Sequence, residues 1–376
     1  MYVKQRHLET LRKLAIPEKV VVIYGARRTG KTTLLNQFLK EEHDPYLLVS
    51  GEDITVQAYL ASQSVEKLRA FVGASRLLVV DEAQKSPNIG INLKLIVDHI
   101  PGIRVVATGS SSFDLARSIG EPLAGRKYTL KLYPLAQIEI GQIENRHQTD
   151  ANLESRLVYG SYPEIVLMND NRWREQYLKE IVSSYLCKDI LELNGIRNSA
   201  KINRLLQLIA FQIGKEVSYT ELGSNLGMSK NTVDHYLDLL EKAFVVHKLT
   251  GFSRNLRTEV VKNCRFYFLD NGVRNALINN FNPLEQRNDA GQLWENYLVM
   301  ERLKRQEYLQ QTTHNYFWRT YRKNEIDLVE ETGGRLFGYE LKWGKARATP
   351  PKEWINAYPE AEFQIVNRDN YFEFIT

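Results

Sequence analysis

Lys31 and Thr32 close the run Gly25-x-x-x-x-Gly30-Lys31-Thr32. Glycines at that spacing let backbone N–H groups curl round phosphate oxygens. Lys31 is then set to reach β- and γ-phosphates, and the Thr32 hydroxyl to meet Mg²⁺. The loop residues Gly25, Ala26, Arg27, Arg28, Thr29, Gly30, Lys31, Thr32 and Thr33 are candidates to surround a nucleotide. Within them, Arg27 and Arg28 have either nucleotide or a partner to touch, and Thr33 caps or packs. Downstream, Asp81 and Glu82 end an apolar run. An acid at a strand end suits Mg²⁺ held through water, and Glu82 is placed to polarise the attacking water. Thr108 and Ser110 end another such run. They are candidates to sense the γ-phosphate, or belong to a serine-rich turn that caps a helix over Phe113–Ser118. Arg126 is a candidate to stabilise transition-state charge, from this chain or a neighbour, or is a solvated surface arginine.

A second set lies near the other end of the chain. Glu340 and Lys342 are two apart and share one face of a strand. Asp327, across a hairpin at Gly333-Gly334, can meet them. Two carboxylates of this kind bind Mg²⁺, and a lysine orients water. With Glu295 on the preceding helix, the set resembles the PD-(D/E)XK nuclease fold. The family's proline is absent, since Asn324-Glu325 precede Ile326-Asp327. Arg319 and Lys345 are candidates for phosphate-backbone contact. Active cleavage and an inactive scaffold both remain open.

The elements that position these groups follow from periodicity. Val20–Ile23, Tyr46–Val49, Arg76–Asp81, Ile103–Thr108 and Tyr128–Leu132 read as strands, several apolar on both faces as in buried parallel sheets. Leucines at helical spacing predict a helix over His7–Ala15, and residues 55–72 read as helical. Gln148 to Asn152 reads as a linker and Tyr159 to Pro163 as a turn. Arg172–Leu193 and Lys201–Ile213 read as amphipathic helices. Tyr219–Asn225 and Ser229–Phe244 form a helix-turn-helix pattern, capped by Thr220 and Ser229, with a winged element starting at Val245–Leu249. On duplex DNA, Lys230, Asn231 and His235 would face the major groove, with Arg254 and Arg257 near phosphates. Asp234, Asp238 and Glu241 on the same helix oppose that contact, and packing or protein contact is the other use of such a module.

These readings predict an α/β chain: an AAA-like parallel-sheet P-loop domain over 1–148, a helical and winged helix-turn-helix region over 149–290, and a small nuclease-like α/β domain over 291–376. At 376 residues the chain is long enough for separate cores. Its net charge of +5 is dispersed, which permits nucleic acid without requiring it. Cys187 and Cys264 are far apart and lack metal-ligand neighbours, so they read as buried thiols. No run of about 18 apolar residues predicts a membrane span, the start lacks a signal-peptide core, and a cytoplasmic site is expected.

The segments VVVIYGARRTGKTTLL, RLLVVDEAQ, VVATGSSS and LAGRKYTLKLYPL, followed by YGSYPEIVL and CRFYFLDNGVRNAL, resemble bacterial and archaeal AAA-type P-loop ATPases that carry a C-terminal domain of unknown function. The resemblance implies ATP binding through Gly25, Gly30, Lys31, Thr32, Asp81 and Glu82. The function it leads to is a Mg²⁺-dependent ATPase coupled to nucleic acid, with a nuclease-like end. The alternative is an ATP-gated switch holding a protein partner such as a toxin or defence component, in which the nuclease-like domain is inactive. A helicase reading of Asp81-Glu82-Ala83-Gln84 lacks a second motor domain. An arginine acting in trans would require an oligomer.

Overall fold

The computed structural model describes residues 3–110, 123–186, 199–254, 264–344 and 349–376. The helix expected over Phe113–Ser118, Cys187, Arg257 and Lys345 lie outside the described residues.

The chain opens with helix α1 (His7–Leu14), strand β1 (Val20–Tyr24) and α2 (Lys31–Lys40). Then come β2 (Tyr46–Ser50), α3 (Ile54–Leu60), α4 (Val65–Val72), β3 (Leu77–Asp81), α5 (Ile89–His99), β4 (Arg104–Gly109) and β5 (Lys127–Lys131). These strands form one parallel sheet in the order β2-β3-β4-β1-β5. Its central strands are apolar on both faces because both faces are covered. Val21 and Ile23 pack with α1 and α2 through Leu11, Leu34 and Phe38, while Val20 and Val22 pack with α4 and α5 through Leu68, Leu93 and Ile96. The helical stretch predicted over 55–72 is two helices. Gln63 takes φ 50°, and Ser64 then caps α4 by accepting from Lys67 N.

The middle region holds α6 (Gln137–Ile140), α7 (Arg146–Tyr159), α8 (Pro163–Leu167) and α9 (Asn171–Glu180), which continues as a π-helical turn through Ile181–Leu186. After it come α10 (Ser199–Phe211), β6 (Glu216–Val217), α11 (Tyr219–Leu226), α12 (Lys230–Lys242), β7 (Val246–Gly251), β8 (Cys264–Phe268) and α13 (Asn271–Leu277). The expected linker at 148–152 is instead the first part of α7. Asn145 and Gln148 form a reciprocal capping box, and Leu153 and Leu157 bury the helix's inner side. The turn read over Tyr159 to Pro163 ends in α8, with Pro163 in its first turn. Helix α11 is capped by Ser218, not Thr220, because Ser218 Oγ is the oxygen that accepts from Glu221 N (3.3 Å). Ser229 caps α12 as expected, accepting from Thr232 N (3.1 Å).

The last part comprises α14 (Ala290–Tyr308), β9 (His314–Arg319), β10 (Glu325–Thr332), β11 (Arg335–Leu341), α15 (Lys352–Ala357), β12 (Glu362–Val366) and α16 (Tyr371–Ile375). Its strands continue the middle region's sheet in the order β12-β11-β10-β9-β7-β8-β6, so the sheet runs across the boundary expected at 290/291. β7 and β9 join the two parts in parallel. One face packs on α14 through Phe266, Leu293, Trp294, Leu298 and Leu328. The other packs on α15 through Trp318, Ile326, Val329 and Trp354. Among the described residues, no helix is long and apolar enough to cross a membrane.

Candidate nucleotide site and C-terminal carboxylate cluster

The phosphate loop leaves the carboxyl end of β1, the most enclosed strand of its sheet. Gly25 is required by close approach: a Cβ there would stand 2.3 Å from Leu132 O. Gly30 takes φ 100°, a left-handed value that favours glycine, and caps α2. Beside it the buried Gln5 donates to Thr29 O (2.8 Å), so the leading segment braces the loop from behind. Thr29 Oγ1 donates to Ala26 O (2.8 Å), and Lys31 Nζ donates to Gly25 O (2.8 Å) and Ala26 O (3.0 Å). These bonds hold the ammonium at the mouth of the loop, where the amino end of α2 adds partial positive charge.

The strand order sets β4 between β1 and β3, which brings three strand ends together. Thr32 Oγ1 donates to Asp81 Oδ2 (2.9 Å). Thr108 Oγ1 donates to Asp81 Oδ1 and accepts from Glu82 N (3.1 Å). Glu82 itself is left-handed at φ 49° and ψ 42°. For a residue with a Cβ this is a costly conformation, which the contacts around it must sustain. Gln84 Nε2 donates to Glu82 Oε2 (2.5 Å) and to Ser110 Oγ (2.9 Å), tying the carboxylate to the end of β4.

A cleft of about 410 Å³ opens over the loop. Arg27, Arg28, Gly30, Lys31, Thr32, Thr33 and Glu82 line it. Asp81, Thr108 and Ser110 stand behind that lining, linked to it by the hydrogen bonds above. Two lining residues come from the middle region and were not anticipated: Pro163 and Glu164, at the start of α8. Glu164 Oε1 lies 3.5 Å from Arg28 Nη1. The only sequence signal for them was that YGSYPEIVL recurs in the resemblance. Its companion segment explains the pairing. Asp270, at the start of α13, accepts from Ser161 N (2.7 Å), and a Cβ on Gly160 or Gly272 would collide with Asp270 or with Tyr159 O.

Arg126 is elsewhere in this chain. Its carbonyl accepts from Val20 N (2.8 Å) at the start of β1, and its guanidinium pairs with Asp98 at 2.5 Å. The length of β1, about 13 Å, separates it from the phosphate loop, so it does not reach that loop in cis.

The C-terminal set does come together, with an addition. Asp327 lies at a bulge in β10 and accepts from Leu341 N (3.0 Å). Glu340 Oε1 meets Lys342 Nζ at 2.5 Å. Glu295, on α14, accepts from Tyr267 OH (2.7 Å), and burial together with Asp327 pushes its pKa up to about 8. Sequence reasoning missed Arg265 of β8, which reaches Glu295 (3.6 Å), Glu325 (2.8 Å) and Asp327 (3.5 Å). Arg319 pairs with Glu216 and Arg254 with Glu331 (3.0 Å), so both meet carboxylates. On α12, Lys230, Asn231 and His235 are exposed, as are Asp234 and Asp238.

Comparison with known proteins bears on the amino-terminal domain. Residues 17–141 match the family described as an AAA domain. The amino-terminal domain has a P-loop ATPase-like fold. Residues 150–284 and 290–374 match two domains of unknown function, DUF8612 and DUF4143, whose descriptions assign no activity. The chain is similar to an uncharacterized protein of Mycobacterium tuberculosis, 29% identical over 340 residues that span 88% of this chain and 72% of that one. An uncharacterized protein of Methanocaldococcus jannaschii is 26% identical over 333 residues, 84% of this chain and 72% of that one. Among solved structures, the Walker-type ATPase of Pyrococcus abyssi overlays at a TM-score of 0.45 and 16% identity, over 73% of this chain and 93% of that one.

Proposed function

We propose that this protein binds ATP with Mg²⁺ over the 25–33 loop and hydrolyses it, using the cycle to move the middle region. The observation that carries the reading is the chain of hydrogen bonds from Thr32 through Asp81 and Thr108 to Glu82, which gathers the ends of α2, β3 and β4 at one cleft. Thr32 and Asp81 would hold Mg²⁺, which neutralises charge on the β- and γ-phosphates. Lys31 and the loop N–H groups orient the triphosphate. Glu82 takes a proton from the attacking water as general base. Thr108, through its two bonds, keeps Asp81 and the Glu82 backbone in register. Pro163 and Glu164 at the cleft supply a route from nucleotide to α8, and Asp270 extends it to α13.

The test is equilibrium titration with a fluorescent ATP analogue. Lys31→Ala should weaken binding roughly 100-fold, the scale expected for losing a charge-assisted contact. Wild-type affinity in that variant would remove the loop from the account.

Coupling to duplex DNA is the second reading, favoured by the exposed Lys230, Asn231 and His235 at the capped start of α12 within a winged helix-turn-helix pattern. Asp234 and Asp238 on the same helix weigh toward a protein partner instead. A mobility shift over a salt titration separates the two, because phosphate contacts give a steep salt slope.

A further inference from the structure

A metal-dependent nuclease centre needs carboxylate oxygens that converge on an open cation position. Mg²⁺ there asks for near-octahedral oxygen ligands at about 2.0–2.1 Å. The residue types of the C-terminal cluster suit that chemistry, so its fit to a cation decides its role.

The carboxylates converge, but on a guanidinium. Arg265 is 4% exposed on β8, which β9 and β7 separate from β10 in the shared sheet. Its Nη1 stands almost equidistant from Glu295 (3.6 Å) and Asp327 (3.5 Å), and its Nη2 bonds Glu325 (2.8 Å). The fully buried Phe317 ring lies against it, 4.7 Å from centroid to guanidinium carbon, which fixes the plane from another side. Further donors hold the carboxylates in place. Tyr267 OH donates to the same Glu295 Oε1 that faces Arg265, Leu341 N donates to the other oxygen of Asp327, and Lys342 pairs with Glu340. Among the described residues, no group of three or more His, Cys, Asp or Glu is arranged to hold a metal ion.

The side chain is also not a passing visitor. Its backbone is paired on both edges, Arg265 with Leu249 of β7 and with Glu216 of β6. Burial opposes the charge of Arg265, but Tyr267, Glu295, Asp327 and Glu325 hold its pKa well above the ordinary arginine value, so it stays a cation. We propose that Arg265 fills the position of a divalent metal among Glu295, Glu325 and Asp327, making the cluster an ionic clamp, buried at Arg265 and open to solvent at Glu325, between the middle region and the C-terminal strands in place of a metal-dependent nuclease centre. The clamp ties β8 to α14 and β10, so it fastens the helix-turn-helix part to the last domain. The residues that resemble nuclease ligands then serve attachment.

The test uses the full chain without nucleotide, titrated with Mn²⁺ and followed by the EPR signal of free Mn²⁺ and by thermal melting. Wild type and Asp327→Asn should take up the same amount of Mn²⁺, because uptake elsewhere, such as at Asp81, is common to both. Arg265→Ala should melt roughly 5–10 °C lower, since it strands buried carboxylates. Mn²⁺ should then bind and restore the melting temperature, and the double variant Arg265→Ala/Asp327→Asn should lose that restoration. Wild-type uptake that Asp327→Asn abolishes would overturn the proposal. So would an Arg265→Ala protein that folds and gains no Mn²⁺ site. Should Arg265→Ala fail to fold, the comparison of wild type with Asp327→Asn still decides.

Discussion

Glu164 faces a cleft lined by Lys31, Arg27 and Arg28, and its own partner is Arg28 at 3.5 Å. Both side chains are about half exposed, 46% and 48%, so the pair contributes less than about 1 kcal/mol. A triphosphate entering that cleft would compete for Arg28 and feel the carboxylate as a like charge. Glu164→Gln should therefore bind ATP roughly 2- to 5-fold tighter, with the gain shrinking as salt is raised. Titration with a fluorescent ATP analogue at two ionic strengths checks this, and weaker binding would mean that Glu164 helps hold the nucleotide. Residues of this kind mark where sequence reading stops. Lys31, Thr32, Asp81 and Glu82 are legible because their spacing is local and their strands are apolar on both faces. Gln84 was visible only as part of a helicase-like string, and nothing in that string shows it bonding Glu82. Glu164 arrives from 136 positions away and Arg265 meets Glu325 from 60 positions away, and no periodicity encodes meetings that the tertiary fold makes.

Elements were legible where burial imposes a period and illegible where a cap decides. The stretch at 148–152 looks like a linker because its residues are polar, yet Asn145 and Gln148 start a helix whose inner side is buried. The segment at 55–72 has one apolar period but breaks where Gln63 turns left-handed. The short helix α6 was not read at all, although it carries a titratable group that links segments. Glu139 is fully buried. Its two oxygens accept from Arg6 N (2.8 Å) and Ala136 N (2.9 Å), with Lys304 and Glu301 of α14 nearby. Burial, opposed by those hydrogen bonds, pushes its pKa up to about 7 from the usual 4.5. The folded state therefore binds this proton more tightly than the unfolded chain does. Its contribution to stability is present below about pH 4.5 and is lost as pH rises to about 7, a change on the order of 3 kcal/mol. His7 and His247, whose burial lowers their pKa to about 4, act in the opposite sense between pH 6.5 and 4. Subtracting the Glu139→Gln melting curve from wild type between pH 5 and 8 isolates the carboxyl. Wild type should lose stability across that range relative to the variant, and parallel curves would count against the shift.

At the scale of the whole molecule, the parallel sheet makes the nucleotide site and the seven-stranded sheet makes the rest. The joint between them is built from the two segments that the resemblance singled out. Ser161 O accepts from Leu135 N (2.9 Å), just past β5, while Ser161 N donates to Asp270 (2.7 Å). A single residue thus touches both halves, one turn before Pro163 and Glu164 enter the cleft. Asn275 of α13 adds a bond to Val158 O (2.8 Å) at the end of α7. Movement of the loop on nucleotide binding would be felt along this path. The sequence suggested separate second and third domains, because chain order cannot show that β7 and β9 pair. The proposed ATP cycle depends on chemistry at one carboxylate, Glu82. The deciding measurement is steady-state ATP turnover with Mg²⁺ by wild type and Glu82→Gln, with nucleotide affinity measured on the same samples. The account predicts turnover in wild type and a fall of roughly 10²- to 10⁴-fold in the variant at unchanged affinity. Equal turnover in the two proteins would contradict it.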